Sequence, residues 1–500
     1  MSLDRFRLLL AALLVILTVD KSTSQPNITR PGRFICPYTN GLFADPALCR
    51  RFYSCTNYEA FLQSCPPGLF FDDIKKFCTF KNEVTCGPVD YETTPTPTVD
   101  PNDPYNVKKC DLSACNLPDC FCSVDGTRIP GGLSREEVPQ MIMLMFSGAV
   151  NLLNYPQYNA VLGRNRTNPN GCPIGATFFM SHEYTNYHYV SKLHSEGHEI
   201  AVNSISRSKP ESLWYRGSYE NWTLEMVGMR EILIRYAEIP KEEILGVRAP
   251  YLKTGGNEQF DMLNDYGFLY DSSMAAPPSK IPLWPFSMEY KIPFKCKSEN
   301  CPQHSYPGIW EIPLNTLHTE DGLGGNCPMM DQCVFPHADE ETIYEWLLEN
   351  FDRHYRKNRA PLALNMQSNW FLTEAAVNGL KRFVNDMLNR DDVWFVTATQ
   401  ALHWLVDPAP LTNINKFDPW KCEVPRAPSC NLPRTCVLPF SAPGIVPDLR
   451  YMQTCVRCPK KYPWIGNVGG EVKTTQDFYE PEITRGPPKE ALDEEFPEEE

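Results

Sequence analysis

Six cysteines crowd into residues 36–86: Cys36, Cys49, Cys55, Cys65, Cys78 and Cys86, with gaps of 12, 5, 9, 12 and 7 residues. So short a segment buries too little apolar surface to hold a fold by itself, so covalent cross-links must hold it together. Six cysteines admit fifteen pairings, and spacing alone does not choose among them. Fourteen more cysteines follow, from Cys110 to Cys458, making 20 in all. An even and large number of this kind belongs to an oxidising compartment and not to a reducing cytosol.

The N-terminus agrees. Arg5 and Arg7 precede an apolar run from Leu8 to Val19 and then small polar residues as far as Gln25. That run is too short to span a bilayer and has the layout of a signal peptide, assigned to residues 1–24. Three Asn-x-Thr sequons fit secretion, at Asn27, Asn165 and Asn221. The formal charge of −14 argues against a nucleic-acid partner, which needs a basic face. Much of it lies in the tail. Between Thr475 and Glu500 ten acids meet two bases, which is −8. Residues 471–500 therefore read as a disordered acidic tail. Residues 89–104, rich in Pro and Thr, read as a linker between a module at 33–88 and a large domain at 105–470.

In the large domain, short apolar segments at 141–146, 176–180, 198–202, 244–249, 268–273, 309–314, 361–366 and 393–398 predict strands. Helices are predicted at about 187–196, 220–238, 256–266, 339–357 and 373–389. Strand–helix alternation on this scale argues for an α/β domain, with a (β/α) barrel as its closed form. Chemistry in such barrels sits where strands end.

The run ADPALCRRFYSC (44–55), followed by CPPGLFFDDIKKFC (65–78), resembles the peritrophin-A type chitin-binding domain. The resemblance implies a small disulfide-rich β module, chitin or chitin oligomers as partner, and the pairings Cys36–Cys55, Cys49–Cys86 and Cys65–Cys78. Aromatic residues are dense here. A sugar-stacking platform drawn from Phe52, Tyr53, Tyr58 and Phe71 is the functional reading; burial of Phe52 and Phe70 in the module core is the structural one.

CNLPDCFCSVDGTRIPGGL (115–133), PQMIMLMFSGAVN (139–151), GVRAPYLKTGGNEQFDML (246–263) and CVRCPKKYPW (455–464) resemble the polysaccharide deacetylase superfamily, and in detail the insect chitin deacetylases. The resemblance implies a distorted (β/α) barrel of polysaccharide-deacetylase type. It also implies hydrolysis of N-acetyl groups with a divalent metal, usually zinc, a carboxylate base and a histidine acid. This chain departs from the pattern at each of those positions. Ser147 stands at the base and Gly148 at the metal-binding Asp; Asn203 and Arg207 stand at the two metal histidines, and Gln367 at the histidine acid. A set of Ser, Gly, Asn and Arg offers zinc neither carboxylate nor imidazole. No catalytic residue, metal or other cofactor is therefore expected.

His194-Ser195-Glu196-Gly197-His198 matches the metal-binding pattern literally, but it spans a helix end and a strand start, so both histidines read as structural. Ser147 lacks the G-x-S-x-G turn of a serine hydrolase. Arg248, Tyr251, Asp271 and Trp370 are retained as groove candidates, with Tyr251 and Trp370 equally readable as core. Arg248 and Asp271 are expected to ion-pair or share a salt-bridge network at the barrel mouth. Arg207 is expected to fill the metal position, carrying the +1 that zinc with one Asp would carry, and to bond Asp271 or a ligand carbonyl. The expectation is thus a secreted, extracellular, membrane-free chitin-binding protein with a non-catalytic deacetylase-like domain, whose partners are chitin and cuticle or matrix proteins. The alternative is an active zinc-dependent chitin deacetylase.

Overall fold

The computed structural model describes residues 107–472 apart from 319–325, 336–337, 423–429, 431 and 443–445, and residues 34–84 with short gaps. The signal segment, Asn27, Tyr58, Cys86, the linker and nearly all of the acidic tail lie outside the described residues.

In the N-terminal module, β1 (Asn40–Ala44), β2 (Arg51–Thr56) and β3 (Glu59–Ser64) form an antiparallel sheet. A hairpin of β4 (Leu69–Asp72) and β5 (Phe77–Phe80) packs beside it. The disulfides Cys36–Cys55 and Cys65–Cys78 are formed as the resemblance implied. Cys49 is also disulfide-bonded, and the implied partner Cys86 is outside the described residues. Side chains alternate across β2. Phe52 stacks on Phe71 inside the module at a centroid distance of 4.4 Å. Tyr53 stacks on Phe34 at 3.9 Å on the other face. Arg51 shares that second face and ion-pairs Glu258 of the large domain at 2.7 Å as well as Asp45 at 2.8 Å.

The large domain is built on β6 (Gln140–Gly148), a strand buried along its whole length. Both of its faces are covered, which is why Met141 to Phe146 form an unbroken apolar run and do not alternate. Parallel neighbours extend from it through β7 (Thr177–Ser181), β8 (Glu199–Ser204), β9 (Gly246–Val247) and β10 (Tyr270–Asp271). The edge strand β11 (Phe286–Ser287) runs antiparallel to β12 (Trp310–Glu311), which pairs β10. On its other side β6 pairs β13 (Leu362–Gln367) and, near its start, β14 (Val393–Phe395). The edges β11 and β13 are not joined to one another, so the sheet is a curled, open half-barrel.

Helices cover its outer face. Asp339 caps the helix Glu340–Lys357 through the Thr342 amide, and Thr373 caps Glu374–Met387. Each buries one apolar stripe. The region predicted as a single helix at 220–238 begins as a turn, Tyr219–Trp222, widens to a π-helical turn at Thr223–Val227, and continues as Gly228–Ala237. A hairpin of β15 (Arg434–Phe440) and β16 (Asp448–Thr454) completes the domain.

All fourteen cysteines of the large domain are paired, in seven bridges. Cys172–Cys422 ties positions 250 residues apart, closing the chain around the half-barrel. Cys327–Cys333 clamps a short loop over the strand ends. No helix among the described residues is long and apolar enough to cross a membrane.

Candidate functional site

The sequence-selected residues of the large domain converge on the carboxyl ends of the strands. Ser147 and Gly148 end β6, Asn203 lies near the end of β8, Arg248 follows β9, Asp271 ends β10 and Gln367 ends β13. In the β6–β13 register Gln367 lies opposite Ser147, so the positions of base and acid are neighbours. Above them lies an open cleft of about 420 Å³ whose lining includes Ser147, Gly148, Arg207, Tyr251 and Gln367.

Arg207 occupies the middle of this arrangement. Its Nη2 donates to Gln367 Oε1 at 3.0 Å. A Cβ built on Gly148 would meet its Nη1 at 3.3 Å. The guanidinium therefore lies between positions 148 and 367, where the family pattern places a metal-binding Asp and a histidine acid. It stands 5.8 Å from the centre of the Tyr251 ring. Burial pulls its pKa down, while Tyr251 and Asp331 act in the opposite sense. It makes no bond to Asp271, one of the two partners expected for it, because Asp271 lies deeper and has other partners.

The loop that presents Arg207 is fixed from behind. Glu225, buried on the π-helical turn, accepts the backbone N–H groups of Ile205 and Ser206, each at 2.9 Å, and the Ser206 hydroxyl. Ser204 (φ 99°) and Arg207 (φ 45°) both have positive φ, a backbone cost that such anchoring holds in place. On the Gln367 side Asp331 accepts the Gln367 N–H at 2.8 Å. Burial pushes the Asp331 pKa up. Asp331 sits inside the Cys327–Cys333 loop, so a disulfide-closed loop braces the end of β13.

Below the cleft lies a second layer. Arg248, fully buried, donates from Nε to Ser272 O (2.8 Å), from Nη1 to Ser147 Oγ (3.2 Å), and from Nη2 to Ser272 Oγ (2.8 Å) and Asn365 Oδ1 (2.7 Å). Its guanidinium also lies 4.0 Å from the Phe179 ring centre. Burial lowers its pKa to about 10. The direct Arg248–Asp271 ion pair is not made. Asp271 accepts instead from Gln259 (2.7 Å), Ser273 Oγ (2.8 Å) and Ser273 N (3.0 Å). It also faces Glu311, whose carboxyl is likewise fully buried. Burial pushes the Asp271 pKa up to about 6 and that of Glu311 well above the usual carboxylate range. Like charges so close cannot both ionise, so the pair shares one proton and carries −1, balancing Arg248. Arg248 and Asp271 thus form a buried framework beneath the cleft and do not line it. Trp370 is also core: it is buried, at 6.0 Å from the Trp346 ring centre. Of the four groove candidates only Tyr251 faces the cleft, and its hydroxyl donates to the Arg207 carbonyl at 2.7 Å.

Zinc does not fit this donor set. Gly148 offers nothing, the Asn203 amide donates to the Arg248 carbonyl at 2.8 Å, and the third position is a cation. His194 and His198 do not form a ligand pair. His194 bonds Glu243 at 2.7 Å, and His198 is buried, its pKa lowered by desolvation to about 4. Among the described residues one grouping, His188 with Cys430 and Cys455, has ligand atoms close enough for an ion, but its two sulfurs are joined as a disulfide.

In the module, Phe71 is fully buried and so cannot serve as a sugar platform, while Phe52 is half-buried with one ring face stacked on it. Tyr53 faces the large domain beside Arg51, with burial and the Asp45 charge as the leading causes that raise its pKa. Among the described residues of the module the exposed rings are Phe77 and Phe80, 53% and 63% exposed at the two ends of β5.

Sequence reasoning missed Glu225, Asp331, Glu311 and Tyr184. Glu311 had a signal: a lone acid inside the apolar run IWEIPL must be buried and partnered. Tyr184, 70% exposed with φ 66°, lines the cleft and had none.

Comparison with known proteins gives four matches. Residues 36–86 match the chitin binding Peritrophin-A domain. The chain is 36% identical over 478 residues to chitin deacetylase 1 of Bombyx mori, covering 85% of this chain and 88% of that one. It is 36% identical over 370 residues to chitin deacetylase 8 of Bombyx mori, covering 72% and 93%. Among solved structures, a putative polysaccharide deacetylase from Mycobacterium smegmatis aligns over 56% of this chain and 93% of its own, at 17% identity and a TM-score of 0.35.

Proposed function

Because the chain belongs to the chitin deacetylase family and carries a chitin-binding domain, we propose that it is an extracellular chitin-binding member in which the deacetylase-like cleft has exchanged catalysis for ligand holding. One observation carries this reading: Arg207 fills the space between Gly148 and Gln367 with a fixed positive charge. A guanidinium cannot deprotonate near neutrality and repels a divalent cation. Its spare N–H groups suit a ligand carbonyl such as an acetamide, and Tyr184 and Tyr251 line the same cleft as aromatic surfaces for a sugar. Two tethered binding elements, the module and the cleft, would raise retention on a polymer by effective concentration. Anchoring of cuticle or matrix proteins to chitin is the role this arrangement serves, and the paired cysteines of the described residues are consistent with an oxidising, extracellular setting.

The direct test is metal content. Full-length secreted protein, incubated with excess zinc and then dialysed, is expected to retain well under 0.1 zinc per chain, an order-of-magnitude limit for a site without anionic or imidazole ligands. Stoichiometric zinc that a chelator removes would overturn the reading.

Within the module, Phe77→Ala and Phe80→Ala are each expected to weaken retention on chitin beads by about tenfold, as loss of an exposed aromatic anchor does. Tyr53→Ala is expected to change it little, because that ring is engaged with Phe34 and faces the large domain. A strong effect of Tyr53→Ala with none from the two phenylalanines would place the sugar on the other face.

A further inference from the structure

A second cavity, of about 230 Å³, lies behind the Arg207 loop and is lined by Leu213, Trp214, Trp222, Leu224 and Ile465, with Ser208 and Glu225 on its polar side. Asn221, the residue of the Asn-Trp-Thr sequon, lines the same cavity. We propose that Asn221 carries an N-linked glycan whose first sugar lies in this cavity, so that the modification is part of the packing of the large domain.

The side-chain geometry favours it. Asn221 is exposed, and its Oδ1 accepts the N–H of Ser218 at 3.2 Å and the Ser218 hydroxyl at 3.0 Å. These bonds fix the amide plane and use only the oxygen. The Nδ2 atom, where the sugar is attached, has no hydrogen-bond partner among the described residues. Thr223 Oγ1 donates to the Tyr219 carbonyl at 2.9 Å, so the sequon is held as one helical turn. The cavity beside it has the character of a pyranose site. Trp214 and Trp222 meet edge to face at 5.5 Å as one wall, and Leu213 stands 50% exposed at the opening. The apolar face of a sugar ring and its acetamide methyl would cover this surface, with hydroxyls turned to Ser208 and water. The sugar is tethered, so contacts too weak to hold a free ligand suffice to seat it. Asn165, the other described sequon, is an exposed turn residue and lines neither this cavity nor the cleft.

The test uses the full chain secreted from insect cells. Glycopeptide mass spectrometry is expected to show Asn221 occupied. The Asn221 glycan is expected to be released by amidase at least about tenfold more slowly from native than from denatured protein, a shift that reports its burial. Leu213→Ser keeps the sequon but strips the opening of its apolar side chain; it is expected to leave occupancy unchanged and to abolish most of that protection. Thr223→Ala, which removes the sequon while keeping the Asn221 cap, is expected to lower Tm by about 2 °C or more. An unoccupied Asn221 overturns the proposal. So does an occupied Asn221 whose glycan is released equally fast from native and denatured protein. If Thr223→Ala is not secreted, the Leu213→Ser comparison decides alone.

Discussion

Purified full-length protein should release no acetate from chitin oligomers above a protein-free blank, with or without added zinc or cobalt. The expectation follows from what each lost group would have supplied. General base and general acid are worth about 10²–10⁴ each in rate, and the metal that would polarise the amide carbonyl has no ligands to hold it. Ser147 cannot replace the base: its Oγ is engaged by Arg248 at 3.2 Å, and among the described residues no histidine bonds it. Gln367 cannot protonate a leaving amine at any ordinary pH, and its Oε1 is occupied by Arg207.

Restoring the site provides the converse measurement. Replacing Gly148→Asp, Asn203→His and Arg207→His together should confer zinc binding, and adding Ser147→Asp with Gln367→His should bring detectable acetate release. The same set with Arg207 retained should stay zinc-free. At 4 Å and an effective dielectric of 20, a divalent cation beside a guanidinium is disfavoured by about 8 kcal/mol. Gly148 adds an obstacle of its own: its φ of 119° suits glycine and strains any residue with a Cβ, so recovery should be partial. Chelator-sensitive turnover by the unmodified chain would sink this account and favour an active enzyme with unfamiliar ligands.

Much of the fold could be read beforehand because the strands are buried on both faces. Runs such as Met141–Phe146 and Leu362–Met366 can be little else inside an α/β protein, and all eight predicted segments contribute strands. What escaped was local. The helix Ala398–Val406 begins where an apolar run ends, and only the cap at Thr397, with Gln400 answering it, marks the change. The helix Tyr155–Leu162 has a weak apolar stripe but carries proline in its first turn, a start signal that was available. At the site, motif position was enough to group Ser147, Gly148, Arg207 and Gln367, which line one cleft, with Asn203 near the end of β8. Their energetics were not legible, because burial decides these. Arg248 and Asp271 look like partners when only their charges are counted. Glu311, brought alongside by β12, supplies a second carboxyl, and two acids sharing one proton leave Arg248 to bond neutral oxygens instead. Phe71 likewise looked like a platform until the pleat of β4 turned it into the module core.

Arg248→Met should be the most destabilising single substitution at the site, by about 3–5 kcal/mol, read as a lower denaturant midpoint at unchanged slope. The methionine fills most of the space but leaves Asn365 Oδ1, the Ser272 carbonyl and Ser147 Oγ without their donor, and leaves the Asp271–Glu311 pair without its cation. Glu311→Gln should behave in the opposite way. The folded pKa values of Asp271 (about 6) and Glu311 (well above the usual range) exceed those of the unfolded chain. Below about pH 4 both states are protonated and the native pair is at its most favourable. As pH rises the unfolded chain loses protons that the native pair retains, so stability falls through pH 6 and beyond. A glutamine imitates the shared proton permanently, donating to Asp271, and removes that dependence. The buried neutral histidines His182, His198 and His354 act in the opposite sense, losing stability as pH drops below about 6.5. They are present in both proteins, so the difference between the two pH curves isolates the acid pair. Glu311→Gln is therefore expected to gain on the parent steadily from pH 5 to pH 8. If it instead loses as much as Arg248→Met at neutral pH, Glu311 is ionised in the folded protein and the pair does not share a proton.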